Sequence, residues 1–173
     1  MTKPLGLLPG VEAMATFSND ERYRYTLHRR WGDQGGVLCW IMLNPSTATA
    51  ETDDATIRKC QKFARAWGYD EIVVVNLFAL RSRDPQQLLR VDDPVGPCND
   101  HAILSAVRSS TMTVAAWGTH GTLHNRHAQV RRLIDNARLS PERGTLHALK
   151  LTKDGHPWHP LYVPDATTPI PYR

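Results

Sequence analysis

The sequence predicts an α/β domain of three layers, a four-stranded parallel sheet between helices, with an N-terminal antiparallel hairpin. Three observations predict it. Residues 37–43 (VLCWIML) and 72–77 (IVVVNL) are apolar without alternation, as strands covered on both faces are. The segment between them has helical periodicity, which makes the unit a strand–helix–strand crossover. Asn44 follows the first apolar run and Asn76 sits at the end of the second, where open parallel sheets bind ligands. At 173 residues the chain suits one domain better than two.

The elements follow in order. Residues 23–31 (YRYTLHRRW) alternate large apolar and basic side chains, and Gly32-Asp33-Gln34-Gly35-Gly36 turns them into residues 37–43, a hairpin by pattern. After a loop over 44–52, Asp53 or Asp54 is placed to cap a helix with Ile57, Cys60, Ala64 and Trp67 on one side and Arg58, Lys59, Lys62 and Arg65 on the other. Gly68 stops it. Residues 72–77 form the second strand. Pro85, Pro94 and Pro97 punctuate a stretch with a short helical piece over 86–90, and a longer helix starts near Asn99 and runs through Ile103, Leu104 and Val107. Residues 112–117 (MTVAAW) are the third strand. The next helix turns Val130, Leu133, Ile134 and Ala137 inward and Arg126, Arg131 and Arg132 outward. Residues 145–151 are the last strand. Prolines at 157, 160, 164, 169 and 171 leave loop or extended tail beyond it. The division is a hairpin extension over 1–35, a core over 36–154 and a Pro-rich loop and tail over 155–173.

Composition narrows the function. A hydrophobic fraction of 41% is that of a globular protein, and no apolar stretch approaches the ~20 residues that span a bilayer. The first ten residues hold one Lys and two Pro, unlike a secretion signal. A cytoplasmic protein without a membrane partner is expected. Cys39, Cys60 and Cys98 have no CxxC spacing, so they read as buried reduced thiols, and neither a zinc ribbon nor a four-cysteine iron–sulfur cluster can be built from them. The net charge of +4 favours an anionic partner or simply serves solubility.

The chemistry sits at strand ends. Asn44 has an acceptor and donors but does not titrate, so it suits positioning a water or reading a ligand edge; an Asn-Pro turn is the alternative. Asn76 in a strand needs partners, either a ligand or a neighbouring loop backbone. His156 and His159 flank Pro157 and Trp158, a stiff segment that would hold an imidazole toward a pocket or leave it at the surface. Asp53 and Asp54 suit a Mg2+ ion or a helix cap. Ser46 lacks the G-x-S-x-G setting of a nucleophile, and no glycine pattern fits a phosphate or dinucleotide loop.

These residues resemble the DUF1643 family: Met42-Leu43-Asn44-Pro45-Ser46-Thr47-Ala48, Asp53-Asp54-Ala55-Thr56-Ile57-Arg58, Val74-Val75-Asn76-Leu77-Phe78-Ala79, Ala116-Trp117-Gly118 and His159-Pro160-Leu161-Tyr162 carry the likeness over nearly the whole chain. More distantly, Asn44-Pro45, Asn76, Trp117-Gly118 and His159-Pro160 are similar in order and setting to the motifs of the uracil-DNA glycosylase superfamily. That resemblance implies a parallel sheet between helices and excision of a modified or damaged base from nucleic acid, with no cofactor and no metal. Asn44 would position the water, Asn76, Ser46 and Pro45 would bind the base, and His159 would stabilise its departure. Arg81, Arg83 and Arg126 would hold the backbone of nucleic acid, DNA first, around a flipped or free base. Ser46 stands where the uracil-specific members have an aromatic residue, which leaves room for a larger base. The alternatives are a non-catalytic nucleic-acid or nucleotide-binding module and a metal-assisted enzyme using Asp53 and Asp54.

Overall fold

Leu38, Cys39, Trp40 and Ile41 are wholly buried, and they make the centre of the sheet because both faces of their strand are covered. The computed structural model describes residues 5–172. Within them a two-residue strand β1 (Leu5–Gly6) pairs with β5 (Thr52–Asp53), and seven strands form one mixed sheet in the order β2-β3-β6-β4-β7-β8-β9. They are β2 (Glu12–Phe17), β3 (Arg24–Arg30), β4 (Val37–Met42), β6 (Glu71–Asn76), β7 (Met112–Ala115), β8 (Leu146–Ala148) and β9 (Ile170–Tyr172). Strands β6, β4, β7 and β8 pair in parallel. The pairs β2 with β3, β3 with β6 and β8 with β9 are antiparallel.

From β4 the chain crosses through α1 (Ala55–Ala66) to β6 on one side, then returns through α2 (Asn99–Ser109) to β7 on the other. The carboxyl end of β4 is therefore a point where the winding reverses, and such points open a crevice. Helix α1 seats Ile57, Cys60, Phe63 and Ala64 against Leu38, Trp40, Ile72 and Val74. Helices α2 and α3 (Arg126–Asn136) seat Ile103, Val107, Val130 and Ile134 against Cys39, Ile41, Val73 and Val75. The alternate side chains of each central strand feed opposite cores. Asp54 caps α1, its Oδ1 accepting the Ile57 N–H at 2.9 Å. A short α4 (Pro141–Gly144) precedes β8.

The expected architecture needs correction. The four-stranded parallel sheet with a separate N-terminal hairpin is overturned: the sheet has seven strands, and three of its six neighbouring pairs are antiparallel. Residues 23–31 do not pair with 37–43. Strand β3 lies between β2 and β6, so the alternation that read as one solvent face is covered by neighbours and loops. The hairpin that does form joins β2 to β3. Proline density hid β9, in which Pro171 sits opposite His147 at the edge of the sheet, a position where a missing N–H costs nothing. No helix among the described residues is long and apolar enough to cross a membrane.

Candidate functional site

A cleft of about 550 Å3 opens at the carboxyl end of the sheet, and Asn44, Asn76 and His159 all line it. That volume falls in the range of small-molecule sites. The segment after β6 runs beside the segment after β4: Leu77 N–H donates to Met42 O at 2.8 Å, Phe78 N–H to Leu43 O at 3.0 Å and Ser82 N–H to Pro45 O at 2.9 Å. Asn44 extends this pairing through its side chain. Its Nδ2 donates to Ser82 O at 2.8 Å and lies within 3.4 Å of Leu80 O and 3.2 Å of Pro45 O. Three carbonyls thus claim the amide nitrogen. The Oδ1 of Asn44 makes no hydrogen bond among the described residues and is left as an acceptor.

His159 arrives from the opposite rim. Gly118 N–H, on a residue at φ +69°, donates to Pro157 O at 2.9 Å, and Trp158 N–H donates to Lys150 O at 2.9 Å, tying the 156–160 loop to the ends of β7 and β8. The Nδ1 of His159 accepts the Leu161 N–H at 3.3 Å, so the neutral ring carries its proton on Nε2. Burial holds the His159 pKa below the ordinary histidine value, against the opposite pull of Asp54. At neutral pH the ring is an uncharged N–H donor.

Asn76 is 2% exposed. Its Oδ1 accepts from Arg24 NH2 at 3.4 Å, and its Nδ2 makes no hydrogen bond among the described residues. Its backbone is buttressed from below: Asn99 Nδ2 donates to both Asn76 O and Leu77 O at 3.0 Å, and Arg126 Nε donates to Leu77 O at 2.9 Å.

Sequence reasoning missed Arg24. It is 3% exposed and lines the cleft, its NH1 donating to Ala48 O at 2.9 Å while its Nε has no partner. Burial lowers its pKa to about 10, with Asp54 opposing, so it stays a cation. A bulge aims it there. Thr26 pairs with Thr16 and Arg24 with Phe17, which leaves Tyr25 as an extra residue and shifts the alternation of β3. Tyr25 and Tyr23 enter the core under α2, whereas Arg24 reaches the 48–54 segment on the side of Leu27. Asp54 also lines the cleft, and its signal was present in the sequence as a helix cap. The indole nitrogens of Trp117 and Trp158, two further lining residues, are buried without partners.

Other expected residues fall elsewhere. Arg126 is 4% exposed, and besides Leu77 O it reaches Asp100 and, at 3.4 Å, Gln129 Oε1; it supports the Asn76 loop and is closed to phosphate, because it opens α3 on the same buried stripe as Val130 and Ile134, four and eight residues on. Arg83 is exposed at the cleft mouth, and Arg81, packed 4.9 Å over the Phe17 ring, borders an adjoining shallow groove with Ser46 and Arg83. Ser46 lines the cleft. Pro45 is buried beside it and shapes the backbone only. Asp53 does not form a metal pair with Asp54, for Arg29 Nε at 2.9 Å, Arg58 Nε at 2.8 Å and Gln61 Nε2 at 2.8 Å surround its carboxylate. Arg58 is close as an ion pair but not aligned for a hydrogen bond. No group of three or more metal-ligating side chains occurs among the described residues. His127 and His156 pack edge to face with each other, and His124 Nε2 donates to Leu88 O at 3.1 Å. Cys39 and Cys60 are buried, but Cys98 is exposed at the start of α2.

No curated protein and no solved structure matches the chain. A family model described as "Protein of unknown function (DUF1643)" matches residues 24–161, a span that contains Arg24, Asn44, Asn76 and His159. The chain belongs to the DUF1643 family.

Proposed function

We propose that the cleft binds a nucleobase, free or turned out of a nucleic acid, and hydrolyses its N-glycosidic bond. The observation that carries the reading is the meeting of Asn44, Asn76 and a neutral His159 in one cleft at the carboxyl ends of β4 and β6. The chemistry is taken from the resemblance of these motifs to those of uracil-DNA glycosylases, on which the family match is silent. As the C1′–N bond breaks, its electron pair leaves with the base and positive charge grows on the sugar. Water, oriented by a hydrogen bond to Asn44 Oδ1, bonds through its oxygen to C1′, and the proton it sheds ends on the departing base, since an amide takes none. The Nε2–H of His159 donates to the departing base and Asn76 Nδ2–H to its edge. Fixed donors at a site of growing charge need no reorganisation, which is where most of their effect on the rate arises.

One observation favours a binding module without turnover: Asn44 and His159 both have structural bonds, to the 80–82 loop and to Leu161. The assay that separates the two is release of free base from oligonucleotides carrying a panel of modified bases, with EDTA throughout. Hydrolysis predicts that Asn44→Ala lowers kcat more than it raises KM and that Asn76→Ala impairs both. Tight binding without release, unaffected by Asn44→Ala, selects the module. Activity lost in EDTA and restored by Mg2+ contradicts the proposed machinery.

A further inference from the structure

Arg24 is a cation that the fold buries without an anion. It is 3% exposed and lines the cleft, and no carboxylate among the described residues comes within ion-pair distance of it. Of its five N–H donors, one is taken by Ala48 O at 2.9 Å and one by Asn76 Oδ1 at 3.4 Å, while Nε has no partner. NH1 and NH2 each keep a second hydrogen. A buried charge left in this state is strongly unfavourable, and the charges around it do not make up the deficit. Arg29 and Arg81 act on it as like charges and Asp54 alone opposes them, with one of its oxygens tied to the Ile57 N–H as the cap of α1. Arg83 is a second cation at the cleft mouth. The free polar atoms of Asn76 and His159, Nδ2 and Nε2–H, are donors as well. Resting on the nucleobase reading above, we infer that Arg24 is an anion-binding residue and that the cleft takes its base as an anion, bearing a carboxylate or lacking a ring proton, whose charge completes the pairing the fold leaves open. The planar fork of a guanidinium matches two oxygens, or an oxygen and a ring nitrogen, side by side. Trp117 and Trp158 among the lining residues suit a flat ring. An arginine that only tied Ala48 to Asn76 would be indifferent to the charge of the ligand.

The test is calorimetric titration of the full chain with orotate, the 6-carboxylate of uracil, against orotamide, its neutral amide of the same shape, and with benzoate as an anion that lacks the base. The wild type is expected to bind orotate roughly ten- to hundred-fold more tightly than orotamide, the ratio that one charge-assisted pair supplies, and to bind benzoate weakly. Arg24→Met, which keeps the length and removes the charge, brings the ratio toward one, whereas loosening of the fold would weaken both ligands alike. Asp54→Asn keeps the helix cap and removes the one charge that competes for Arg24. It is expected to tighten orotate roughly three- to tenfold and to leave orotamide as it is, and it decides the matter if Arg24→Met does not fold. Equal affinities for orotate and orotamide, a ratio unmoved by Arg24→Met in a folded protein, or an orotate affinity not raised by Asp54→Asn each overturn the inference and leave the nucleobase site standing. Benzoate bound as tightly as orotate upholds the anion site and overturns the nucleobase reading. Binding of none of the three overturns both.

Discussion

Strand β3 carries two buried arginines that have been put to opposite uses. Arg29 is 0% exposed, and each of its nitrogens is satisfied: Nε by Asp53 at 2.9 Å, NH1 by His28 O at 2.8 Å, and NH2 by Thr49 O at 2.6 Å and Thr52 O at 3.1 Å. Arg24, five residues earlier, has one good bond, one at 3.4 Å and an Nε with none. A buried cation with every donor paired holds a loop and has nothing left to offer. One that is half paired beside a cleft retains the capacity to act on a ligand or on the group that meets it. The comparison separates a fully paired cation from one with donors to spare at residues that look alike in sequence.

Removing each arginine is expected to break the comparison in a different way. Arg29→Met strands the buried Asp53 carboxylate with Arg58 and Gln61 as its remaining partners, and unfolding in urea should show a loss of about 3 kcal/mol, the low end for breaking a buried pair. Arg24→Met gives up one strong and one long hydrogen bond, and the same measurement should show about 1 kcal/mol. A loss at Arg24 as large as at Arg29 would make both structural. Asn44→Ala removes three carbonyl contacts, two of them to the 80–82 loop; about 1 to 2 kcal/mol is expected, with amide exchange speeding up at Ser82 and less so in β4.

The smallest effect is that of pH. The His159 pKa is lowered by burial, so in the folded state the ring resists protonation more than in the unfolded chain. Its contribution to stability is complete above the ordinary histidine value near 6.5 and is lost as pH falls from there through the lowered value. His159→Gln should flatten the stability profile in that window and leave it unchanged above pH 7. A rise in stability on acidification would mean that Asp54, which pulls the other way, dominates the imidazole.

Much of the site was legible because strand ends announce themselves. Asn44 and Asn76 interrupt apolar runs, and Pro157 and Pro160 frame His159, so their gathering at one edge of the sheet follows from the chain's local pattern and from the way parallel strands align. What decides their orientation was not legible. The place of Arg24 depends on a one-residue bulge at Tyr25 and on β6 lying next to β3, a pairing between residues more than forty positions apart. Arg126 was misread for another reason: helical spacing puts it on the stripe of Val130 and Ile134, but its charge argued for solvent, and the Leu77 carbonyl and Asp100 that make its burial affordable lie on other elements. Strand order was misjudged for the same reason, since the turn at 32–36 is as compatible with a crossing past β6 as with a hairpin.

The central claim is that Asn44, Asn76 and His159 form a nucleobase site, and a crystal structure of the chain soaked in hypoxanthine tests it most directly. The account predicts the base in the cleft of about 550 Å3, with its carbonyl oxygen or an unprotonated ring nitrogen within hydrogen-bond distance of Asn76 Nδ2, and His159 Nε2 facing the ring. A base seated instead in the smaller groove beside Tyr25, Cys98 and His101, with the cleft residues untouched, would contradict it.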